Sequence, residues 1–523
     1  MFACAPKCSY QAKFINMANK NYPAESQQLY SQPTRVELLS PQTNINQKPR
    51  WGKLMLLMAI ATTLGGAVST GYCIGVINAP SKFMKIWCNQ TLHDNYGSNL
   101  SETGLDLLWS SIVSVFLVGG AIGSLGGAGA ANKFGRKACY LICGGLFTVG
   151  AVLFFFCRAA NSVEMLLIGR FIVGLASGLV TATLPMYLSE VAPLALRGTL
   201  GVFCGVGVTG GVVVAQVCSL ADVFGTADLW HYALSAYMGL IIVGYLPSYL
   251  FPESPKFLYI VKGNRAAARR ELQRLRGEDA EELIAQELAE MEAETNAKKQ
   301  TSRFCDVLRD SRYLLPLVIV CCFHGGQQLS GINAIFYYSV SIFEKAGLST
   351  ANAQWANLGA GCLNLAVSLM GPWLMASCNR RTLMMFSCAL CSVFLFTIAF
   401  VLYYIDFVSW FASACIFCIM GYIFFYQFGL GPIPYFIGSE LFEVAPRSVA
   451  MSMGSLASWT CNFIIGISFP SVQNAWGAFV FLPFSITCVL LCLLTKFYLP
   501  ETRGRDPSEV APLVSKGFRS KVK

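Results

Sequence analysis

A chain of 523 residues that is 55% apolar and only 13% charged, with 38 Lys and Arg against 28 Asp and Glu for a net charge of +10, is too apolar for a large water-soluble enzyme. Lipid is the solvent that suits it. The positive surplus forms no surface for reading phosphates, because twelve basic residues between Lys256 and Arg312 are balanced by twelve acidic residues between Glu253 and Asp310, and nucleic acid is excluded as a partner.

Residues 1–53 are polar, carry seven basic residues and contain no apolar leader, so the first spanning helix is expected to direct insertion. Beyond them come runs that meet the requirement of about 20 mainly apolar residues for a membrane span. They lie at 54–77, 107–131, 138–157, 165–187, 200–220 and 232–251, then at 313–340, 355–376, 383–404, 410–437, 449–470 and 475–499. That makes twelve spans in an all-α membrane protein. Between the sixth and seventh, residues 264–297 are rich in Ala, Glu, Arg and Leu, a composition for amphipathic surface helices. The chain therefore divides into a tail (1–53), a six-helix bundle (54–251), a helical linker (252–312), a second six-helix bundle (313–499) and a tail (500–523). Most of the 21 cysteines sit inside the apolar runs as small buried hydrophobes, with no His, Cys and Asp ligand set beside them, so neither a metal nor a cofactor is expected.

Basic residues are biased to one side. Lys133, Arg136, Lys137, Arg197, Arg380, Arg381 and Arg447 occupy alternate short loops on the side that also receives both tails and the linker, so this side is expected to face the cytoplasm. The 78–106 connection then lies outside, with Asn89 of Asn-Gln-Thr and Asn99 of Asn-Leu-Ser as glycosylation acceptors.

Three features recur in order in the two halves. Gly135-Arg136-Lys137 is echoed by Asn379-Arg380-Arg381, the Glu190 and Arg197 spacing by Glu440 and Arg447, and Pro252-Glu253-Ser254 by Pro500-Glu501-Thr502. Duplicated halves around a central site suit alternating access, in which one cavity opens to each side in turn.

Charges near the membrane are sparse and need partners. Arg170, with Glu190 and Arg197 and with Glu440 and Arg447, is expected to form a cytoplasmic gating network, together with Arg136 and Arg381 of the repeated loops. Pro432 and Pro434, with Gly429 and Gly431, interrupt the tenth span and mark a bend or rocking element. In the seventh span Gln327, Gln328 and Asn333 place amides in apolar, aromatic surroundings, and Gly325, Gly326 and Gly331 permit a local bend. Asn364 and Asn462 add further amides. An amide donates and accepts without a fixed charge, which fits a neutral polyol, and Tyr337, Tyr338 and Tyr435 offer rings to pack on a sugar.

These motifs resemble the facilitative glucose transporter family of the major facilitator superfamily over roughly residues 53–507. The resemblance rests on Gly135-Arg136-Lys137, Arg170, Glu190 through Arg197, Pro252 through Pro255, and Gln327 through Asn333. It continues through Gly431-Pro432-Ile433-Pro434, Glu440, Arg447 and Pro500-Glu501-Thr502. It implies twelve spans in two pseudo-symmetric bundles and passive movement of a hexose, D-glucose first, across the plasma membrane. It assigns sugar contacts to Gln327, Gln328, Asn333, Asn364 and Asn462, with Tyr435 beside them, and implies no obligatory protein partner beyond the lipid bilayer. The chain departs from the family pattern at Gly205, where a Gln is usual, at Tyr435 for Trp, at Gln427 for an acid and at Ser458 for Asn. Ala376, Ser377 and Asn379 also depart from the pattern after the eighth span. Proton-coupled hexose symport and a sugar-binding relative without transport are the alternatives; no nucleophile, acid–base and oxyanion set points to an enzyme.

Overall fold

Apolar segments leave water only when their backbone polar groups are satisfied internally, and the chain meets that demand with helices. A computed structural model describes residues 52–519 apart from 98, 194–195, 278–279, 299–303, 346, 406, 409, 443 and 506. The tail before residue 52, with Cys4 and Cys8, lies outside the described residues.

The first half comprises α1 (Lys53–Gly75, with a π-helical turn at Thr63–Val68), the surface helix α2 (Ser81–Tyr96), α3 (Glu102–Phe134) and α4 (Arg136–Phe156). It continues through α5 (Val163–Val191), α6 (Arg197–Cys218) and α7 (Trp230–Leu250). The linker holds α8 (Arg265–Arg276), α9 (Glu281–Lys298) and the short α10 (Phe304–Arg309). The second half begins with α11 (Ser311–Leu329), α12 (Ile332–Lys345), α13 (Thr350–Ser377) and α14 (Arg380–Tyr403). After these come α15 (Phe411–Tyr426), α16 (Ile433–Leu441), α17 (Val444–Trp476), α18 (Leu482–Tyr498) and a tail helix, α19 (Pro507–Val514).

Among the described residues nine segments are long and apolar enough to cross a membrane. One of them, Val449–Tyr498, has 50 residues and is divided by a 3₁₀ turn at Gly477–Phe481. It therefore supplies two passes, α17 and α18. The shorter apolar helices Phe203–Cys218 and Phe411–Tyr426 complete the twelve that the apolar runs predict.

Helices α3 and α5 approach closely because they meet at glycines. A Cβ placed on Gly178 would lie 2.0 Å from the Gly120 carbonyl oxygen, so only a hydrogen fits there. This explains why the second run is rich in glycine: lipid tails are as apolar as leucine, and backbone proximity replaces hydrophobic exclusion as the source of cohesion.

The linker is more than a solvated connection. Ala268 and Leu272 of α8 pack with Ile284 and Met291 of α9 and with Tyr259 in a small core of their own. Arg276 grips Glu287 at 2.9 and 3.1 Å and also donates to the Val191 carbonyl at 2.9 Å, which ties α8 to the last residue of α5.

Candidate functional site

Glycine breaks the seventh pass at the position where its amides must meet. Helix α11 stops at Leu329, Gly331 takes a φ of +88°, and α12 starts at Ile332. A side chain at 331 would be strained by that φ and would meet the Phe484 ring at 2.4 Å. Gly325 and Gly326 stay helical, so the bend belongs to Gly331 alone of the three.

Across this break the amides form one hydrogen-bonded chain. Asn333 Nδ2 donates to Gln328 Oε1, and Gln328 Nε2 donates to Ser458 Oγ at 2.8 Å and to Gln327 Oε1 at 3.3 Å. Gln327 Nε2 donates to the Leu430 and Gly431 carbonyls at 3.1 and 2.6 Å. Those carbonyls are free because the tenth pass is interrupted: α15 ends at Tyr426 and α16 restarts at Ile433, beside Pro432 and Pro434. From the same interruption Gln427 Nε2 donates to Asn364 Oδ1 at 2.7 Å. Asn462 is buried beside Tyr337, and its Oδ1 has no hydrogen-bond partner among the described residues.

Of the three tyrosines, Tyr435 alone is open, at 61% exposure; Tyr337 and Tyr338 are buried, the latter donating to the Gly466 carbonyl and stacking on Phe469. Gly205 of α6 is exposed, with no heavy atom within 4 Å of an added Cβ. Sequence reasoning missed three participants. Ser458 and Gln427 stand there as departures from a pattern, yet both hold amides in place. His324 is buried one turn before Gln327 and Gln328, its ring edge-on to Tyr435 at 5.7 Å and both nitrogens without a hydrogen-bond partner among the described residues. A lone histidine inside an apolar run was the available signal.

The expected pairing of Glu440 with Arg447 is corrected. Glu190 is held on both oxygens by Arg136, at 2.7 and 2.8 Å, and accepts from Ser254 Oγ. Glu440 is held by Arg380 at 3.4 Å and accepts from Thr502 Oγ1. Glu253 accepts the backbone N–H of Arg136, and Glu501 those of Arg380 and Arg381. The repeat is thus a repeat of contacts. Arg447 does not take Glu440; its guanidinium donates to the Phe442 carbonyl, while Arg381 donates to the Lys496 carbonyl. The Arg197 side chain lies outside the described residues.

Arg170 does not join either set. It sits in the first third of α5, whereas Glu190 lies at the last turn, about 30 Å away at 1.5 Å per residue. It is fully buried, donates to the Cys73 and Ile112 carbonyls at 2.7 and 3.3 Å, and lies 4.5 Å from the Phe116 ring centre. No carboxylate partners it among the described residues.

At the end of the molecule away from the Arg–Glu sets, buried hydrogen bonds join the halves. Asn78 Nδ2 donates to the Phe336 carbonyl and to Ser339 Oγ, and both Ser339 and Gln216 donate to Asn357 Oδ1 at 2.6 and 2.9 Å. Lys82 pairs with Glu344 at 2.8 Å nearby. Deeper in the molecule Ser124 and Ser455 share a bond of 2.7 Å.

A family model described as sugar (and other) transporter matches residues 58–513. The chain is 39% identical over 460 residues to the solute carrier family 2, facilitated glucose transporter member 3 of Ovis aries, covering 87% of this chain and 92% of that protein. It is 38% identical over 463 residues to member 1 of Gallus gallus, with the same coverage. Among solved structures, the inward open conformation of the xylose transporter XylE from E. coli superposes with a TM-score of 0.72 at 21% identity, covering 88% of this chain and 99% of that one. The proton:xylose symporter XylE bound to 6-bromo-6-deoxy-D-glucose gives 0.71 at 23%, with the same coverage.

Proposed function

Because the chain belongs to the sugar (and other) transporter family, we propose that it moves a hexose passively across a membrane by alternating access, with D-glucose as the principal sugar. One observation carries this reading: the polar chain from Asn333 through Gln328 to Ser458, with Gln427 and Asn364 beside it, consists wholly of amides and a hydroxyl. Such groups match the hydroxyls of a neutral sugar and require no counter-ion. Gln327, Gln328, Asn333, Asn364 and Asn462 contact the sugar, and Tyr435 covers it from the open side.

The buried Arg170 supports a passive cycle. Its partners are carbonyls and a ring, with no carboxylate among the described residues to carry a proton beside the sugar. The Arg136–Glu190 and Arg380–Glu440 sets, together with Arg197, Arg381 and Arg447, form the gate at the cytoplasmic end. The break at Pro432 and Pro434 is its hinge. Closure at the Asn78 end by cross-half bonds corresponds to the inward-facing part of the cycle.

The protein resides in the plasma membrane with both tails inside. Asn99, exposed ahead of α3, and Asn89, on α2 with its Thr91 buried, are outside and accept glycans. Loss of a glycan shift after Asn89→Gln with Asn99→Gln tests that orientation, and a shift that persists would refute the assignment. The decisive experiment for transport is tracer hexose uptake in sealed vesicles with and without an imposed proton gradient. Saturable uptake that stops at equilibrium is expected; accumulation above equilibrium driven by the proton gradient would overturn the passive reading.

A further inference from the structure

An amide in a binding site is ambiguous, because either end can face the ligand; what decides is the partner that holds the other end. Asn364 is buried on α13, and its Oδ1 is already engaged by Gln427 Nε2 at 2.7 Å. Its Nδ2 makes no hydrogen bond among the described residues, so its two N–H groups remain to be used. Gln427 is itself constrained. It lies one residue beyond the end of α15, in the interruption that also frees the Leu430 and Gly431 carbonyls for Gln327. Its Oε1 lies against Gly431, where an added Cβ would be only 2.3 Å away. One interruption thus holds Gln327 through its backbone and Asn364 through its side chain.

We propose that Gln427 is a positioning residue that sets the hydrogen-bonding polarity of Asn364, holding its carbonyl so that the site presents N–H donors to one sugar oxygen. The inference rests on the reading of Asn364 as a sugar contact. Its chemical content is specific to glutamine: a carboxylate at 427 has no proton to give, would accept from Asn364 Nδ2, and would turn the Asn364 carbonyl toward the sugar. A methionine of similar length would leave Asn364 unanchored. Either change converts or blurs the polarity of one contact without removing the amide that makes it.

Fluoro- and deoxy-sugars read polarity directly. A fluorine accepts weakly and cannot donate, whereas a hydrogen does neither. A position that receives N–H groups from the protein therefore tolerates fluorine better than hydrogen, and a position that donates its own proton loses both alike. Displacement of labelled D-glucose from membranes holding the full-length protein is measured with each singly fluorinated and each singly deoxygenated D-glucose, so no result depends on turnover. Asn364→Ala identifies the hydroxyl concerned as the position whose fluoro-to-deoxy preference disappears.

In the wild type that position is expected to favour fluorine by roughly two- to tenfold, the range of one net hydrogen bond. In Gln427→Glu and Gln427→Met the preference at that same position falls to about unity, while the other positions keep theirs. Gly431→Ala, which displaces Gln427 without altering its chemistry, has the same effect and serves if a Gln427 variant fails to fold. An unchanged preference in all three variants, a uniform loss at every position, or a wild-type position that rejects fluorine as strongly as hydrogen would each overturn the positioning role. If Asn364→Ala changes no position, Asn364 is not a sugar contact and both readings fall together.

Discussion

Arg136 holds both carboxylate oxygens of Glu190, at 2.7 and 2.8 Å, although 54 residues separate them in the chain. The guanidinium is 6% exposed and the carboxylate 13%, so neither is well solvated. Arg136→Ala strands the carboxylate, and removing one partner of a buried pair costs about 3–5 kcal/mol. Thermal unfolding in detergent is expected to show a large drop for Arg136→Ala and a smaller one for Arg136→Met combined with Glu190→Leu. A double variant less stable than either single change would contradict this account. Arg380→Ala should cost less, because its 3.4 Å contact with Glu440 is longer and more exposed.

Gly331 is expected to tolerate no side chain. Alanine at a φ of +88° costs about 1–3 kcal/mol before its clash with Phe484 is counted. Gly331→Ala should lower the melting temperature and abolish displaceable D-glucose binding, because Asn333 and Gln328 would no longer meet. Gly325→Ala, whose added carbon meets Cys461 Sγ at 3.1 Å and Ala457 at the ordinary contact distance of 3.8 Å, is the matched comparison and should retain binding. Equal effects of the two changes would remove Gly331 from its role.

Asn357 accepts from both Gln216 and Ser339 and so links the two halves through one oxygen. Asn357→Leu leaves two buried donors without a partner, at about 1–3 kcal/mol each in the closed arrangement. That end should open in a larger fraction of molecules, by about fivefold or more for each kilocalorie lost. Spin labels on the two halves at that end, read by pulsed dipolar spectroscopy, should show a longer distance gaining population. An unchanged distribution in a folded variant would mean that these bonds do not hold the end shut.

Arg276 docks the linker through Glu287 and the Val191 carbonyl. Arg276→Ala should speed proteolytic cutting between α8 and α9 several-fold, because the closed hairpin loses the contact that orders it. The sign is checked by Glu287→Gln, which keeps the length of the side chain and should give a smaller increase. Cutting at the wild-type rate in both variants would count against docking by this arginine.

What could be read from the sequence was local or periodic. Run lengths alone mark the twelve passes, because one helix must satisfy its own backbone within the thickness of the membrane. The spacing of Gly135-Arg136-Lys137, Glu190 and Pro252-Glu253 against their later echoes marks the duplication, since ordered repeats survive in one dimension. The amides at 327, 328 and 333 stand out because apolar surroundings make any polar group conspicuous.

Partner choice was decided only in three dimensions. Glu190 is held by Arg136 from another helix, 54 residues away in the chain, and Arg447 turns to a carbonyl instead of Glu440. Arg170 shares a helix with Glu190 but sits near its other end, so proximity in sequence misassigned it. Ser458 and Gln427 looked like missing chemistry because a residue is judged alone in a sequence, whereas a hydrogen bond needs two groups and a direction. Those directions come from the breaks at Gly331 and Pro432, where the backbone leaves the helical path and brings Asn333 to Gln328 and Gln427 to Asn364.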